Sequence, residues 1–277
     1  MFELPEVETY KRDLEREVIG KKVKTVDAAS MSLLGSYKNR KAFTGQLDGV
    51  KITEVDRVGL RLLFGLDSGD LLVATLGKTM RPQRATNKAA QHDGTEVVVT
   101  FTQHGQLRFV DTKGKGDLRI VAEDDIEEAM ADMEIVGLDP VAEPLSWTHF
   151  GELLRHHDMP LKTLLTDEKI IMGIGSMYTD EILFTSGLRY DRGSSSLSSQ
   201  EVRRLYRALV ETLHDAMKYR GTSTDKNEYL DVFGEAGTYQ EHLQVFDREG
   251  ELSPRSRAPI MKTKFNGAVT YYCETQV

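Results

Sequence analysis

Hydrophobic positions recur with two different periods along the chain, and the change of period predicts its elements. Near the N-terminus, residues spaced as on one helical face are Val7, Tyr10, Leu14 and Val18. They follow Pro5, which is favoured in a first helical turn, and predict an amphipathic helix over residues 6–19. From residue 21 to residue 120 the pattern changes to short β-type runs separated by glycine-containing turns. Such a series of strands predicts an antiparallel sandwich or barrel.

Helical spacing returns after residue 160. Residues 161–222 are predicted to be helical, most clearly Gln200–Tyr219, with Ser198 or Ser199 as the residue that caps the helix start. Residues 223–252 are rich in glycine and irregular, and the run Ala268–Cys273 predicts a strand of a hairpin. We therefore predict an α+β fold with an N-terminal helix, a β-sandwich, a helical domain and a C-terminal β-hairpin. The predicted boundaries are 1–120, 121–160 as an acidic helix and linker, 161–240, and 241–277.

Charge is unevenly distributed, which changes the interpretation of an acidic net charge of −8. Residues 121–160 contain 11 acidic residues and one basic residue, whereas residues 1–120 contain 20 basic and 16 acidic residues. A local basic face matters more for nucleic-acid binding than the total, so such a partner is not excluded. The single cysteine excludes an intrachain disulfide, and no apolar run is long enough to cross a membrane. We expect a cytoplasmic protein.

Three segments together resemble the formamidopyrimidine-DNA glycosylase/endonuclease VIII family. They are Glu3-Leu4-Pro5-Glu6-Val7-Glu8-Thr9, then Leu161-Lys162-Thr163-Leu164-Leu165 through Gly173-Ile174-Gly175-Ser176-Met177-Tyr178-Thr179-Asp180-Glu181, and Gly237-Thr238-Tyr239-Gln240 through Leu243-Gln244-Val245-Phe246. The second is similar to that family's helix–two-turns–helix motif. The resemblance implies a monomeric, nucleoid-associated base-excision-repair protein that binds damaged double-stranded DNA, releases a base and cuts the strand. It also implies that the C-terminal hairpin is a DNA-binding finger.

The sequence departs from this family at the reactive N-terminus. The family's nucleophile is the amine of an N-terminal proline, but Phe2 stands there, and a bulky second residue should leave Met1 in place. The Met1 amine, Glu3 and Glu6 are therefore the candidate catalytic groups. For Glu6, an acidic residue that only complements the helix N-terminus is an equally good interpretation.

Further departures concern the DNA contacts that the resemblance implies. Leu60 replaces a phosphate-binding lysine, and Ser176 replaces the asparagine of the helix–two-turns–helix motif. Where the family has three residues that fill the gap left by a flipped base, this chain has Lys78, Lys113 and Lys115. Candidate DNA contacts in the helical domain are Lys162, Tyr178 and Tyr239, of which Lys162 and Tyr239 match family positions. The sequence Gly221-Thr222-Ser223-Thr224 matches the start of a loop over the flipped base, or is an ordinary surface loop.

The finger is altered as well. A four-cysteine zinc site has become Ser253, Ser256, Cys273 and Gln276, so we expect no zinc and no other cofactor. We expect the hairpin to be held instead by Phe265, Val269, Tyr271 and Tyr272. Ala268 replaces a phosphate-gripping arginine, and Lys262 and Lys264 are the candidate DNA-binding residues nearby.

Two functions remain open at this point. The first is a DNA glycosylase with altered chemistry, in which Glu3 or Glu6 activates water or the Met1 amine attacks, with weak or absent strand cleavage. The second is a catalytically silent DNA-binding homologue, because the nucleophile, a phosphate contact and the finger arginine are lost together. Binding of structured RNA through the helical motif is a weaker alternative.

Overall fold

The computed structural model describes residues 2–77, 79–134, 137–142, 145–224 and 228–277. Contacts divide the chain into two compact units: Met1–Glu134 with Arg220–Thr238, and Ile135–Tyr219 with Tyr239–Val277. Residues 220–238, here called the returning segment, therefore pack with the N-terminal unit, whereas the sequence grouped residues 161–240 together.

The first unit consists of a helix on an antiparallel β-sandwich, as the sequence predicts. Its helices are α1 (Leu4–Val18), α2 (Arg40–Leu47) and α3 (Ile126–Glu134). Its strands are β1 (Val23–Ala28), β2 (Ile52–Val58), β3 (Arg61–Leu66), β4 (Leu71–Thr75), β5 (Arg81–Ala85), β6 (Thr95–Phe101), β7 (Gln106–Val110) and β8 (Asp117–Val121). They form two four-stranded sheets, ordered β1-β6-β7-β5 and β2-β3-β4-β8. Phe64 of one sheet meets Phe109 of the other edge-to-face, with ring centroids 6.3 Å apart, within one continuous core.

Helix α2 was not predicted, since residues 21–120 were assigned to β-type runs. The Asn39 side chain accepts a hydrogen bond from Ala42 N at 3.0 Å and starts the helix. Phe43 and Leu47, one helical turn apart, are buried in the core. Two anchoring residues in a helix of two turns give too short a periodic signal to recognise in the sequence.

The register of the second sheet brings several connections to one end of the sandwich. Val58 pairs with Arg61, Arg61 with Thr75, and Thr75 with Asp117, so these residues form a row across one end of the sheet. The turn after β2, the connection after β4 and the connection before β8 all lie at this end of the sheet. Leu60, in the turn after β2, and the loop of Lys113 and Lys115, just before β8, both lie at this end of the sheet.

Phe2 is part of the core of the first unit. It is 3% exposed and packs edge-to-face on Tyr10 and Tyr229, with ring centroids 5.8 and 6.0 Å away. Tyr10 donates a hydrogen bond to Leu230 O at 2.7 Å, which ties α1 to the returning segment. The second residue of the chain is thus an aromatic anchor for the N-terminus.

The second unit contains the predicted helices and hairpin. Its elements are α4 (Trp147–His156), α5 (Leu161–Thr166), α6 (Ser176–Ser186), α7 (Ser199–Lys218), β9 (Ile260–Phe265) and β10 (Ala268–Cys273). Ser198 caps α7 by accepting a hydrogen bond from Glu201 N, as predicted. Asn266 and Gly267 both have positive φ angles and form the two-residue turn between β9 and β10. Among the described helices, none combines the length and the apolar composition that crossing a bilayer requires.

We expect Phe2→Ala to lower the free energy of unfolding by about 3 kcal/mol, because a buried aromatic ring is lost and leaves a cavity. Urea denaturation followed by circular dichroism measures this change. Phe233→Ala is the matched control: Phe233 is 51% exposed, and its loss should cost less than about 1 kcal/mol. Equal effects of the two substitutions would contradict the anchoring role of Phe2.

Candidate functional site

The start of α1 holds two of the three candidate catalytic residues, and both are buried. Glu3, 5% exposed, immediately precedes the helix, and its backbone N–H donates to the Glu6 carboxylate at 2.9 Å. Glu6 is fully buried, and its other oxygen accepts a hydrogen bond from Thr222 N at 2.9 Å. The Glu6 carboxylate is therefore committed to two backbone donors, which supports a structural role. Met1 lies outside the described residues.

The returning segment is fixed closely against α1 beside this carboxylate. Gly221 has a φ of +84°, and a Cβ atom there would come within 2.9 Å of Glu6 Cγ. A Cβ on Gly237 would meet Gly221 O at 2.2 Å, so only glycine allows the two ends of the segment to touch. Arg220 adds ion pairs to Asp13 and Asp231. The sequence alternative of an ordinary surface loop does not describe Thr222, which is completely buried.

Leu60 lies in the turn between β2 and β3, at the end of the sheet where the three connections meet, but it does not supply a positive charge. Its side chain is half-buried and packs against the core. The charge nearby belongs to Arg57, whose Nε donates to Glu8 Oε2 at 2.9 Å and whose terminal nitrogen donates to Gly59 O at 3.1 Å. Arg57 is 5% exposed, so this pair fastens the turn to α1 from inside. The alternation of Val55 and Arg57 along the strand was a usable signal for this burial, which sequence analysis missed.

The two candidate lysines after β7 are exposed on a rigid loop. Asp111 holds the loop, because its carboxylate accepts hydrogen bonds from Lys113 N, Lys115 N and Gly116 N at 2.8–3.1 Å. Burial alone would raise the pKa of Asp111, but these donors and the Thr79 hydroxyl outweigh it and keep the pKa below its usual value. The side chains of Lys113 and Lys115 project to solvent.

The loop of Lys113 and Lys115 lies against the connection that carries the third candidate lysine. A Cβ on Gly77, whose φ is +57°, would come within 2.6 Å of Lys115 O. Lys78 itself lies outside the described residues.

Lys162 does not have the surface position that we expected for a phosphate contact. It is 2% exposed, and its Nζ donates to Asp180 Oδ1 at 2.6 Å and to Val269 O at 3.1 Å. An ammonium group is rarely buried without a carboxylate partner, and Asp180 supplies one. The role that this geometry supports for Lys162 is internal.

Ser176 is half-buried at the first position of α6 and also contacts the hairpin. Its hydroxyl donates to Val269 O at 2.9 Å, so Ser176 and Lys162 share one acceptor. Val269, which we expected to help hold the hairpin, is 43% exposed, so its side chain contributes less packing than the aromatic residues. The three aromatic residues that we expected to hold the hairpin do pack: Phe265 and Tyr272 contact Tyr190, and Tyr271 contacts Phe246.

Tyr178 and Tyr239 are buried instead of exposed for DNA contact. Tyr178 is fully buried on α6, and its ring lies 5.8 Å from that of Tyr239. Burial raises the pKa of Tyr239, and the ring of Tyr219 lies 6.5 Å from it. These tyrosines form an aromatic core under the helix–two-turns–helix motif, so their burial does not support the predicted DNA contacts at these two residues.

Lys262 and Lys264 do lie on the surface, on one face of β9. Both are exposed, and alternation along the strand points them the same way. Lys262 forms an ion pair with Glu249 at 3.2 Å and lies 5.7 Å from the centre of the Tyr271 ring. Within the described part of the second unit, they are the predicted DNA-binding lysines that remain available to an anion.

The four positions of the zinc site that the resemblance implies come together, but their atoms do not suit zinc. Ser256 Oγ and Cys273 Sγ lie 3.2 Å apart, and Cys273 N donates to the Gln276 side chain at 2.7 Å. Gln276 Nε2 donates in turn to Leu188 O at 2.7 Å. One thiol, two hydroxyls and an amide cannot replace four thiolates around zinc. Across the described residues, no group of three or more His, Cys, Asp and Glu is arranged to hold a metal.

The buried pair of Lys162 and Asp180 makes stability depend on pH. Burial raises the pKa of Asp180 to about 7, against the opposing effect of Lys162. The folded protein then binds a proton between pH 4 and 7 that the unfolded chain does not, so Asp180 favours folding more as the pH falls through 7. As the pH falls from 7 to 4, we expect the free energy of unfolding of the native chain to rise relative to that of Asp180→Asn by up to about 1.4 kcal/mol per pH unit.

Urea denaturation of the native chain and of Asp180→Asn at pH 8, 7, 6 and 5 measures this difference. The matched control is Asp191→Asn, which alters a carboxylate that is 44% exposed and paired with Arg189. A difference between the native chain and Asp180→Asn that does not change between pH 8 and 5 would contradict the prediction.

Comparison with known proteins agrees with this arrangement of elements. The family profile described as the formamidopyrimidine-DNA glycosylase N-terminal domain matches residues 1–118, and the one described as the H2TH domain of the same enzyme matches residues 136–228. A formamidopyrimidine-DNA glycosylase of Pelotomaculum thermopropionicum is 32% identical, covering 99% of this chain and 98% of that protein. One from Enterococcus faecalis is 33% identical, covering 99% and 96%.

Solved structures show the same similarity in three dimensions. The Lactococcus lactis Fpg protein in complex with DNA containing an abasic site has a TM-score of 0.86 at 26% identity, covering 98% of this chain and 97% of that one. The MutM (Fpg) protein of Thermus thermophilus has a TM-score of 0.83 at 33% identity, covering 99% and 97%. With relatives above 30% identity over nearly the whole chain, the protein belongs to the formamidopyrimidine-DNA glycosylase family.

Proposed function

We propose that this protein binds damaged double-stranded DNA and releases a base by activating water, without the covalent step and strand cleavage that the family resemblance implies. Its partner is the duplex, no metal or cofactor takes part, and a cytoplasmic, nucleoid-associated location fits this function. Family membership and the DNA-bound Lactococcus lactis relative support the choice of partner.

The burial of Phe2 carries the proposal. The resemblance places a nucleophilic proline at this position, but this chain has Phe2 there, and the Phe2 side chain packs on Tyr10 and Tyr229. A nucleophile displaced by about 1 Å can lose about 100-fold in rate, and moving the terminal amine to Met1 displaces it by a whole residue. An amine one residue further out is therefore expected to be a poor nucleophile toward the sugar.

Glu3 is the residue that we assign to water activation. It lies immediately before α1, next to the N-terminal position that holds the nucleophile in the family. Glu6 is less suited to this role, since both of its oxygens already accept backbone hydrogen bonds. The Glu3 side chain takes part in the capping box at the start of α1, where it accepts a hydrogen bond from the Glu6 backbone N–H and is held next to the N-terminus.

Each unit supplies its own candidate contacts to phosphates. In the first unit these are Lys113 and Lys115, on the loop that Asp111 holds. In the second unit they are Lys262 and Lys264 on β9. Exposed cations on rigid elements are suited to neutralise phosphates independently of base sequence.

A catalytically silent DNA-binding homologue is the second candidate. The saturated Glu6 carboxylate favours it, as does Leu60, which is packed on the core where the resemblance implies a cation. Base release separates the two candidates, since binding is common to both.

A base-release and borohydride-trapping panel tests the proposal with the native chain, Phe2→Pro and Glu3→Gln. We expect the native chain to release a modified base, to leave the abasic strand uncut and to form no trapped adduct. Glu3→Gln should lower base release at least about 100-fold, as expected for loss of a general base. Glu54→Gln, at an exposed position of β2, is the matched control and should release the base as fast as the native chain does.

Other outcomes assign the function differently. A borohydride adduct with the native chain would show that the Met1 amine attacks the sugar. No product from any damaged duplex, together with binding, would establish the silent homologue. An adduct that appears with Phe2→Pro alone would show that the remaining groups still support the covalent reaction.

The lysines of the first unit give a separate prediction. Lys113→Ala/Lys115→Ala should weaken duplex binding and reduce the slope of log K against log salt by about 2, if each lysine neutralises one phosphate. Fluorescence anisotropy at several salt concentrations measures the slope. Lys51→Ala, at the opposite end of the same sheet, is the control and should leave the slope unchanged. An unchanged slope for the double variant would remove these lysines from the interface.

A further inference from the structure

The finger hairpin is fastened to the helix–two-turns–helix motif by polar side chains directed at its backbone. Val269 O accepts hydrogen bonds from Lys162 Nζ at 3.1 Å and from Ser176 Oγ at 2.9 Å. On the same strand, Tyr271 N donates to Asp180 Oδ2 at 2.9 Å. Lys162 and Asp180 are themselves paired at 2.6 Å.

These contacts provide hydrogen-bond partners for backbone groups on the side of β10 that faces away from β9. The hairpin has two strands, and β9 occupies one side of β10 over the whole register from Ala268 to Cys273. Backbone groups on the other side of β10 need partners when they are buried. Asp180, which is 1% exposed, and Lys162 supply them in place of a third strand.

Charge strengthens this attachment and fixes its geometry. Hydrogen bonds from an ammonium group and to a carboxylate are stronger than neutral ones, and a buried ion pair whose remaining positions are also bonded tolerates little displacement. Asn266 Nδ2, in the turn of the hairpin, adds a bond to Thr163 Oγ1 on α5 at 3.0 Å. The turn and the middle of β10 are thus both held to α5 and α6.

We propose that Lys162, Asp180 and Ser176 are positioning residues, forming a latch that holds the hairpin so that Lys262 and Lys264 meet the phosphates of bound DNA. The proposal rests on the DNA-binding function proposed above and deepens it. Lys264 pairs directly with Val269 across the hairpin, and Lys262 with Tyr271. The two residues that the latch holds are therefore the cross-strand neighbours of the two exposed lysines. The latch acts through the hairpin backbone, without contact between Lys162 and DNA.

Amide hydrogen exchange tests the latch without DNA. Lys162→Met and Ser176→Ala should each increase the exchange rate of the Tyr271 amide and its β10 neighbours, about tenfold or more for Lys162→Met. The amides of α7 serve as the internal reference for global stability. Lys169→Met removes an exposed lysine from the same motif and should leave hairpin exchange unchanged. Ser176→Ala, which removes one donor and no charge, keeps the test valid if Lys162→Met fails to fold.

A double-mutant cycle tests positioning against direct contact. We expect Lys162→Met to weaken binding to an abasic-analogue duplex about tenfold in the native background, measured by fluorescence anisotropy. In the Lys262→Ala/Lys264→Ala background it should have little further effect, because the contacts that the latch positions are already gone. Ser176→Ala should follow the same pattern with a smaller loss.

The remaining outcomes separate failure of the latch from failure of the proposed function. Equal losses in both backgrounds would make Lys162 an independent DNA contact and overturn the proposal. Faster hairpin exchange without loss of affinity, or affinity loss without faster exchange, would also overturn it. If the native chain does not bind duplex DNA, the proposed function fails and the positioning role fails with it, whereas binding with additive losses refutes the latch alone.

Discussion

A buried carboxylate joins two parts of the chain that are 216 positions apart, and the reactive end of the first unit depends on it. Glu6 accepts backbone hydrogen bonds from Glu3 and from Thr222. A buried charge of this kind is tolerated when each oxygen has donors, and removing a donor costs more than the bond itself contributes. The start of α1 and the returning segment therefore form a single structure, completed by Phe2 against Tyr229.

At two positions where the resemblance implies a reactive or charged group, this chain has a packed apolar side chain. Phe2 fills an aromatic cluster, and Leu60 packs on the core. Apolar side chains gain stability from burial, about 1.5–3 kcal/mol for a large one. At both positions the side chain therefore contributes to packing in the first unit.

Periodicity in the sequence was sufficient for the fold wherever an element is long or strictly alternating. Helix α7, with its serine cap, and strand β10 were predicted nearly residue for residue. Candidate site residues were harder to place, because family position says nothing about burial. Lys162 and Tyr239 match family positions, yet both lie buried in the second unit, where partners distant in sequence enclose them. The partner of Lys162 on the hairpin, Val269 O, is a backbone atom, and no side-chain pattern reveals it.

The cluster of Ser253, Ser256, Cys273 and Gln276 changes how the finger depends on its surroundings. A finger built on four thiolates holds its shape only while metal is supplied and the sulfurs stay reduced. Here the connections are hydrogen bonds among neutral groups, and the one sulfur, Cys273, is fully buried. The Cys273 thiol is shielded from solvent, so its oxidation requires the hairpin to open first.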